Sequence, residues 1–168
     1  MEEKKINKDV FRSPSSGKIK LVNVAEEISK YINEDSQSKY RLIVGTDSNA
    51  NGKIDFVTAI IVRRVGKGGR YFWKKTNGDK IYHTLRDRIY QEVTLSLQCA
   101  QDLLGQLENF VETSNDLNYD FQIHIDVGLN GPTREMIKEV VGMVRGNGFQ
   151  AKIKPESYAA SSVADKYT

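Results

Sequence analysis

Apolar residues recur along this chain at two different periods, and the change from one to the other marks out the elements. Val24, Ile28, Tyr31 and Ile32 stand three and four residues apart, which predicts a helix over residues 22–33. After the polar loop DSQSK come three strand-like runs, at 40–45, 54–64 and 70–75. The turns Asn49-Ala50-Asn51-Gly52 and 66–69 separate them, and connections that short predict an antiparallel meander. Helical spacing then returns: Leu85, Ile89, Val93, Ala100, Leu103, Leu104, Leu107 and Phe110 outline a long helix over 84–113, with Thr84 as its cap. Residues 119–127 alternate as a fourth strand. Pro132 opens a helix that stops at Gly146-Asn147-Gly148, 149–153 make a fifth strand, and Ser157 caps a final helix.

The resulting order is β-β-β-α-β-α-β-α after one extra helix. Strands in a run followed by alternating helices and strands predict an α/β fold of the α+β type, a five-stranded mixed sheet with helices on both faces. Residues 1–18, charged and carrying Ser13-Pro14-Ser15-Ser16-Gly17, read as an arm. The expected organisation is an N-terminal arm and helix over 1–38 and one folded domain over 39–168.

Composition narrows the classes without choosing among them. The 168 residues suffice for one core, and 39% hydrophobic with 28% charged residues is ordinary for a globular protein. No apolar run approaches the ~20 residues that span a bilayer, and MEEKKINKDVFRSP contains no signal-like stretch, so the expected location is the cytoplasm. The single cysteine, Cys99, sits mid-helix and is expected as a buried thiol. The net charge of +3 is unevenly spread: residues 63–88 hold nine basic residues against Asp79 and Asp87, a net of +7, which leaves −4 for the remainder. This segregation points to a polyanionic partner, with Arg63, Arg64, Lys67, Arg70, Lys74 and Lys75 as its contacts and Trp73 available to stack on a base. The competing explanation is edge-strand protection by Lys and Arg.

Four carboxylates occupy unusual places. Asp47 ends the run RLIVGTDS, Asp126 ends YDFQIHIDVG, Glu92 interrupts the apolar stripe of the long helix, and Asp165 lies on the last helix. Each alone has a plainer reading: an Asx turn for Asp47, a cap or turn for Asp126, a stripe-margin residue for Glu92, a solvated helix residue for Asp165. Together they are costly unless a cation repays them, and a divalent metal is the usual partner of hard oxygen ligands. Residues 47–52 also match the first half of a calcium-binding EF-hand loop, but the twelfth position is Thr58 rather than a bidentate glutamate. Neither His83 nor His124 has zinc-ligand spacing.

In this element order the set Asp47, Glu92, Asp126 and Asp165 resembles the four acidic ligands of the ribonuclease H-like superfamily, over residues 39–168. More narrowly, VGTDSN, IHIDVGLNGPTREMI and IKPESYAASSVADKYT are similar to the uncharacterised bacterial YkuK family, assigned to the same fold, across nearly the whole chain. The resemblance implies hydrolysis of phosphodiester bonds in nucleic acid (RNA, DNA or a hybrid) with two Mg²⁺ or Mn²⁺ ions about 4 Å apart. Asp47 would bridge the ions, Glu92 and Asp126 would hold one, and Asp165 the other. The chain departs from larger relatives in ending three residues past Asp165, and residues 101–120 are acidic where some ribonucleases H carry a basic handle. Two other classes compete: a non-catalytic nucleic-acid-binding module on the same fold, and a sugar-kinase-like ATPase, for which a second lobe is lacking.

Overall fold

A computed structural model describes residues 10–49, 54–77, 82, 84–110 and 119–157. Strands β1 (Val10–Ser13) and β2 (Gly17–Lys20) lead into helix α1 (Leu21–Glu34), then β3 (Tyr40–Ser48), β4 (Phe56–Arg64) and β5 (Gly69–Thr76). Helix α2 (Leu85–Leu107) ends in a short 3-10 turn, followed by β6 (Tyr119–His124), a second 3-10 turn, α3 (Ile137–Gly146) and β7 (Gln150–Lys152). The strands form one mixed sheet in the order β2-β1-β5-β4-β3-β6-β7, with β3–β4–β5 antiparallel and β3–β6–β7 parallel.

The meander, the long helix and the parallel returns follow the sequence pattern closely. The sheet has seven strands rather than five because residues 10–20, expected within an arm, make a hairpin whose Arg12 pairs with Trp73 of β5. Four-residue strands complete too few alternations to reveal themselves, and only Phe11 and Ile19 of this hairpin are buried apolar anchors. Thr84 caps α2 as expected, its side chain accepting from the Asp87 N–H. Helix α3 starts later than Pro132 suggests, after the 3-10 turn Arg134–Met136, and stops on schedule with Gly148 at φ +87°. The last helix, which was to carry Asp165, lies outside the described residues.

A period of two divides every strand between the two faces of the sheet. Leu42 and Val44 of β3, Ile60 and Val62 of β4, Phe72 of β5 and Ile123 of β6 join the buried stripes of α1, α2 and α3 in one core. All three described helices therefore pack on this face. The opposite face carries Arg41, Ile43 and Asp47 of β3, Arg63 of β4, Tyr71, Trp73 and Lys75 of β5, and Gln122 and His124 of β6, in cross-strand register.

Candidate functional site

Because β3 and β6 run parallel, their C-terminal ends lie side by side, with Gly45 opposite His124. Two residues beyond each come Asp47, still inside β3, and Asp126, just past β6. The register thus brings both carboxylates to one end of adjacent strands, which neighbour at about 4.8 Å. At Asp126 the backbone turns tightly: the Val127 N–H donates to the Ile125 carbonyl at 2.9 Å, leaving Asp126 at the apex.

Helix α2 lays Glu92 over this same end. The Ser48 hydroxyl donates to Glu92 Oε1 at 3.1 Å, and one turn later Ser96 donates to Thr46 Oγ1 at 2.8 Å. Thr46 in turn shares a 3.0 Å hydrogen bond with Thr58. Helix and strand run in opposite directions here, so four residues of helix, about 6 Å, match two residues of strand. Glu92 is only 8% exposed, whereas Asp87 is exposed in the first turn of the helix. Burial pushes the Glu92 carboxyl up to about 8, and the charges of Asp47 and Asp126 add to the shift. The Ser48 hydrogen bond and Arg88, one turn earlier on the same helix, act in the opposite direction.

Asp126 has a cation beside it: Lys154 Nζ stands 2.9 Å from Oδ1. Backbone bonds from Ile125 N–H to the Lys152 carbonyl and from Lys154 N–H to the Val127 carbonyl, both 2.9 Å, continue the β6–β7 ladder past the strands and set Lys154 there. Gly128 leaves it room, since a Cβ at that position would stand 3.2 Å from the Lys154 Cβ. Among the described residues, no three of His, Cys, Asp and Glu are grouped so as to hold one metal ion. Asp165 lies outside the described residues.

The basic run divides between the two faces. Arg64 turns to the helix side, where its guanidinium donates to the Tyr40 hydroxyl at 2.9 Å and the Tyr31 carbonyl at 2.8 Å and stacks 4.2 Å over the Tyr31 ring. Arg70 lies over the same ring at 5.0 Å and Lys74 over Phe11 at 5.1 Å, while Lys67 pairs with Asp35 at 3.3 Å. On the opposite face are Arg63, Trp73, with Arg12 5.8 Å above its ring, and Lys75, paired with Asp55 at 3.3 Å.

His124 shares that face. The Gln122 amide donates to the Asp120 carboxylate at 2.9 Å, which orients its oxygen toward His124 Nε2 at 3.2 Å. Nε2 therefore carries the proton, and Nδ1 is a buried acceptor with no hydrogen-bond partner among the described residues. Burial, helped by Lys152 and Arg41, pushes the imidazole down to about 4 and keeps it neutral.

Sequence reasoning did not single out Ser48, Lys154, Arg41 or Lys152. Ser48 carried a usable signal, because the period of two sets it on the helix side with Thr46. The approach of Lys154 to Asp126 depends on a ladder that only the folded chain displays.

A mixed sheet crossed by a long helix, with Asp47 and Asp126 at the ends of adjacent parallel strands, fits one class of fold. The ribonuclease H-like family model matches residues 23–168, and the chain belongs to that family. It is 32% identical over 166 residues to the uncharacterised protein YkuK of Bacillus subtilis (strain 168), covering 95% of this chain and 96% of that one. No solved structure matches it. Membership points to a nucleic-acid-related function.

Proposed function

We propose that this chain is a Mg²⁺- or Mn²⁺-dependent nuclease, hydrolysing phosphodiester bonds by two-metal-ion chemistry. Asp47, Glu92 and Asp126 would hold the ions, together with Asp165. The observation that carries the reading is the buried Glu92, aimed from a helix at the strand ends that bear Asp47 and Asp126. A buried carboxylate whose ionisation is penalised by two neighbouring acids is an arrangement that a divalent cation relieves. The donor set is hard oxygen throughout, which suits Mg²⁺ or Mn²⁺ and not a soft metal.

When bound, the ions supply an activated water and steady the departing oxygen. The protein's own part is to present the carboxylates. Ser48 fixes one oxygen of Glu92, and the Ser96–Thr46–Thr58 hydroxyls hold the helix at the height that keeps Glu92 over the strand end. Glu92 would serve as a ligand in its ionised form, and at Asp126 an ion would compete with Lys154. On the sheet face that Asp47 shares by register, Arg63, Lys75 and Trp73 support contact with the strand being cut. Arg64, Lys67, Arg70 and Lys74 have partners within the fold and contribute through it.

Labelled DNA, RNA and hybrid substrates incubated with Mg²⁺ or Mn²⁺ test the reading. Cleavage that needs the ion and is lost in Asp47→Asn supports it. The second reading, a nucleic-acid-binding module without catalysis, is favoured by the lysine already seated on Asp126. Absence of cleavage on every substrate, with no thermal shift on adding either ion, would select the module.

A further inference from the structure

Between helix α3 and the loop that follows β6 lies an open groove of about 440 Å³. Leu129, Ile137, Val141 and Gly142 line it with apolar surface, and Arg134, Lys138 and Arg145 stand along it. Leu129 is 65% exposed, and among the described residues no large hydrophobic side chain is more so. The loop that presents it is pinned. The Gly128 N–H donates to Thr133 Oγ1 at 3.1 Å, and Gly131 turns the chain at φ +115°.

Residues 134, 137, 138, 141, 142 and 145 recur at three- and four-residue steps, so they share one face of α3 and of the 3-10 turn before it. Val140 and Val144, on another face, join the core. The acids of the same stretch, Glu135 and Glu139, fall one step round the helix. Glu139 is taken up there by Arg86 at 2.9 Å and by the Tyr90 hydroxyl, both on α2. Among the described residues no acid lines the groove, and its three exposed cations have no side-chain hydrogen bond or ion pair. Gly142 is not demanded by packing within the chain, since a Cβ there would meet nothing within 4 Å. Glycine weakens a helix interior relative to alanine, so at this position it costs stability and leaves the groove deeper.

An occupant has to match both the apolar surface and the positive rim. A nucleic-acid strand would meet the cations, but among the described residues the groove has no aromatic ring on which a base could stack. An acidic amphipathic helix matches both, because its apolar residues recur at the same steps and its carboxylates flank them. From Arg134 to Arg145 the face is about 16 Å long at 1.5 Å per residue, the length of three turns of such a helix. We propose that this groove docks an acidic amphipathic helix of a partner protein. Its apolar anchors seat on Leu129, Ile137 and Val141, over the gap at Gly142, and its carboxylates pair with Arg134, Lys138 and Arg145. The inference concerns a protein partner and goes beyond the nuclease reading, which can hold or fail without it.

The probe is a fluorescent synthetic helical peptide with leucines at i, i+4 and i+7 among alanine and glutamate, read by polarisation in EDTA. A second peptide has the same composition with the leucines out of register. The first should bind the wild type, and the second about ten-fold more weakly or worse, the scale of losing interface anchors. Two variants remove the two halves of the groove: Arg134→Gln/Lys138→Gln/Arg145→Gln takes the charge, and Gly142→Leu fills the gap without changing charge. Each should weaken the first peptide by about ten-fold or more. A control of equal charge, Lys18→Gln/Lys20→Gln/Lys30→Gln, should change it by less than about two-fold. Thermal melts check folding, and Gly142→Leu should melt no lower than the wild type, because leucine is the better helix former and its Cβ is unobstructed. No binding of the first peptide, equal binding of the two peptides, or wild-type affinity in either folded variant would overturn the proposal. So would a single-stranded oligonucleotide that loses about ten-fold in affinity with the triple α3 variant, because the face would then serve nucleic acid. Cleavage plays no part in any of these readouts, so failure here leaves the nuclease reading to its own test.

Discussion

Arg63 and Arg64 are consecutive residues with opposite surroundings, and the contrast extends to the two faces of the sheet they occupy. On the helix face, Arg64 is held by the Tyr40 hydroxyl and the Tyr31 carbonyl, with its plane over an aromatic ring. It belongs to the seam between α1 and the meander, and its alkyl stem covers apolar surface. On the other face, Arg63 looks across at Arg41 over a charged cavity. A run of cations that reads as one basic patch in the sequence is thus two populations. One belongs to the seam between helix and meander, and the other lies on the opposite face of the sheet. Charge counted along a chain overstates the surface available to a polyanion whenever the run lies on strands.

The acidic end of the sheet is where the contrast can be broken most sharply. Asp47→Asn should reduce cleavage by about a thousand-fold or more, the scale of losing a group on which the reacting centre depends. Binding of nucleic acid without metal should hold or improve, because one repulsive charge has gone. Parallel losses of cleavage and of metal-free binding would instead make Asp47 a structural residue.

Glu92→Gln tests the same end through stability. The Glu92 carboxyl titrates at about 8 in the folded protein against 4.5 for its ordinary value. A raised carboxyl contributes nothing below pH 4.5, where both states are protonated. It costs progressively more as pH rises to about 8, because folding must then take up a proton or bury a charge. In EDTA the Gln variant should therefore match the wild type near pH 4.5 and exceed it at pH 8 by a few kcal/mol, at about 1.4 kcal/mol per pH unit of the window. Denaturant melts at the two pH values measure this, and a constant difference between the proteins would place the titration elsewhere. Mg²⁺ should reverse the advantage by binding the folded wild type.

The two arginines can be compared directly. Arg64→Ala should lower the melting temperature by several degrees and change oligonucleotide affinity little once the protein is folded. Arg63→Ala should do the reverse. Equal effects of the two on affinity would return the basic run to a single patch.

The smallest expected effect belongs to Lys154. Lys154→Ala removes the cation at 2.9 Å from Asp126, so Mg²⁺ should half-saturate at roughly two- to five-fold lower concentration, an energy of the order expected for a partly exposed charge pair. Calorimetric titration reads it without cleavage. An unchanged affinity would mean that Lys154 and the ion do not compete.

Much of the fold was legible because its strands and helices are long. Nine-residue β3 and β4 pass through four alternations, and the buried residues of α2 recur over about five turns. The hairpin over 10–20 escaped for the converse reason, since its pairing is secured by β5 rather than by its own pattern. Among the acids, Glu92 was legible as a carboxylate inside an apolar stripe, and its burial beside Ser48 agrees with that reading. The division of Arg63 from Arg64 was implicit in the period of two, but which face would be covered by helices was not. Nor could the sequence show that Lys154 meets Asp126 or that Arg41 faces Arg63, because both depend on which strands become neighbours.

The three hydroxyls of Ser96, Thr46 and Thr58 have a mechanical consequence. An apolar helix on an apolar sheet resists separation strongly, yet it resists axial sliding only through the fit of its side chains. A buried hydrogen-bonded chain across that contact adds a detent: displacing α2 along β3 would strand hydroxyls where no water can replace the lost partner. Glu92 and Ser96 are one turn apart on a single rigid rod, so fixing the height of the serine fixes that of the carboxylate. The alignment between helix and strand end is thereby set from inside the core, one turn away from any charge.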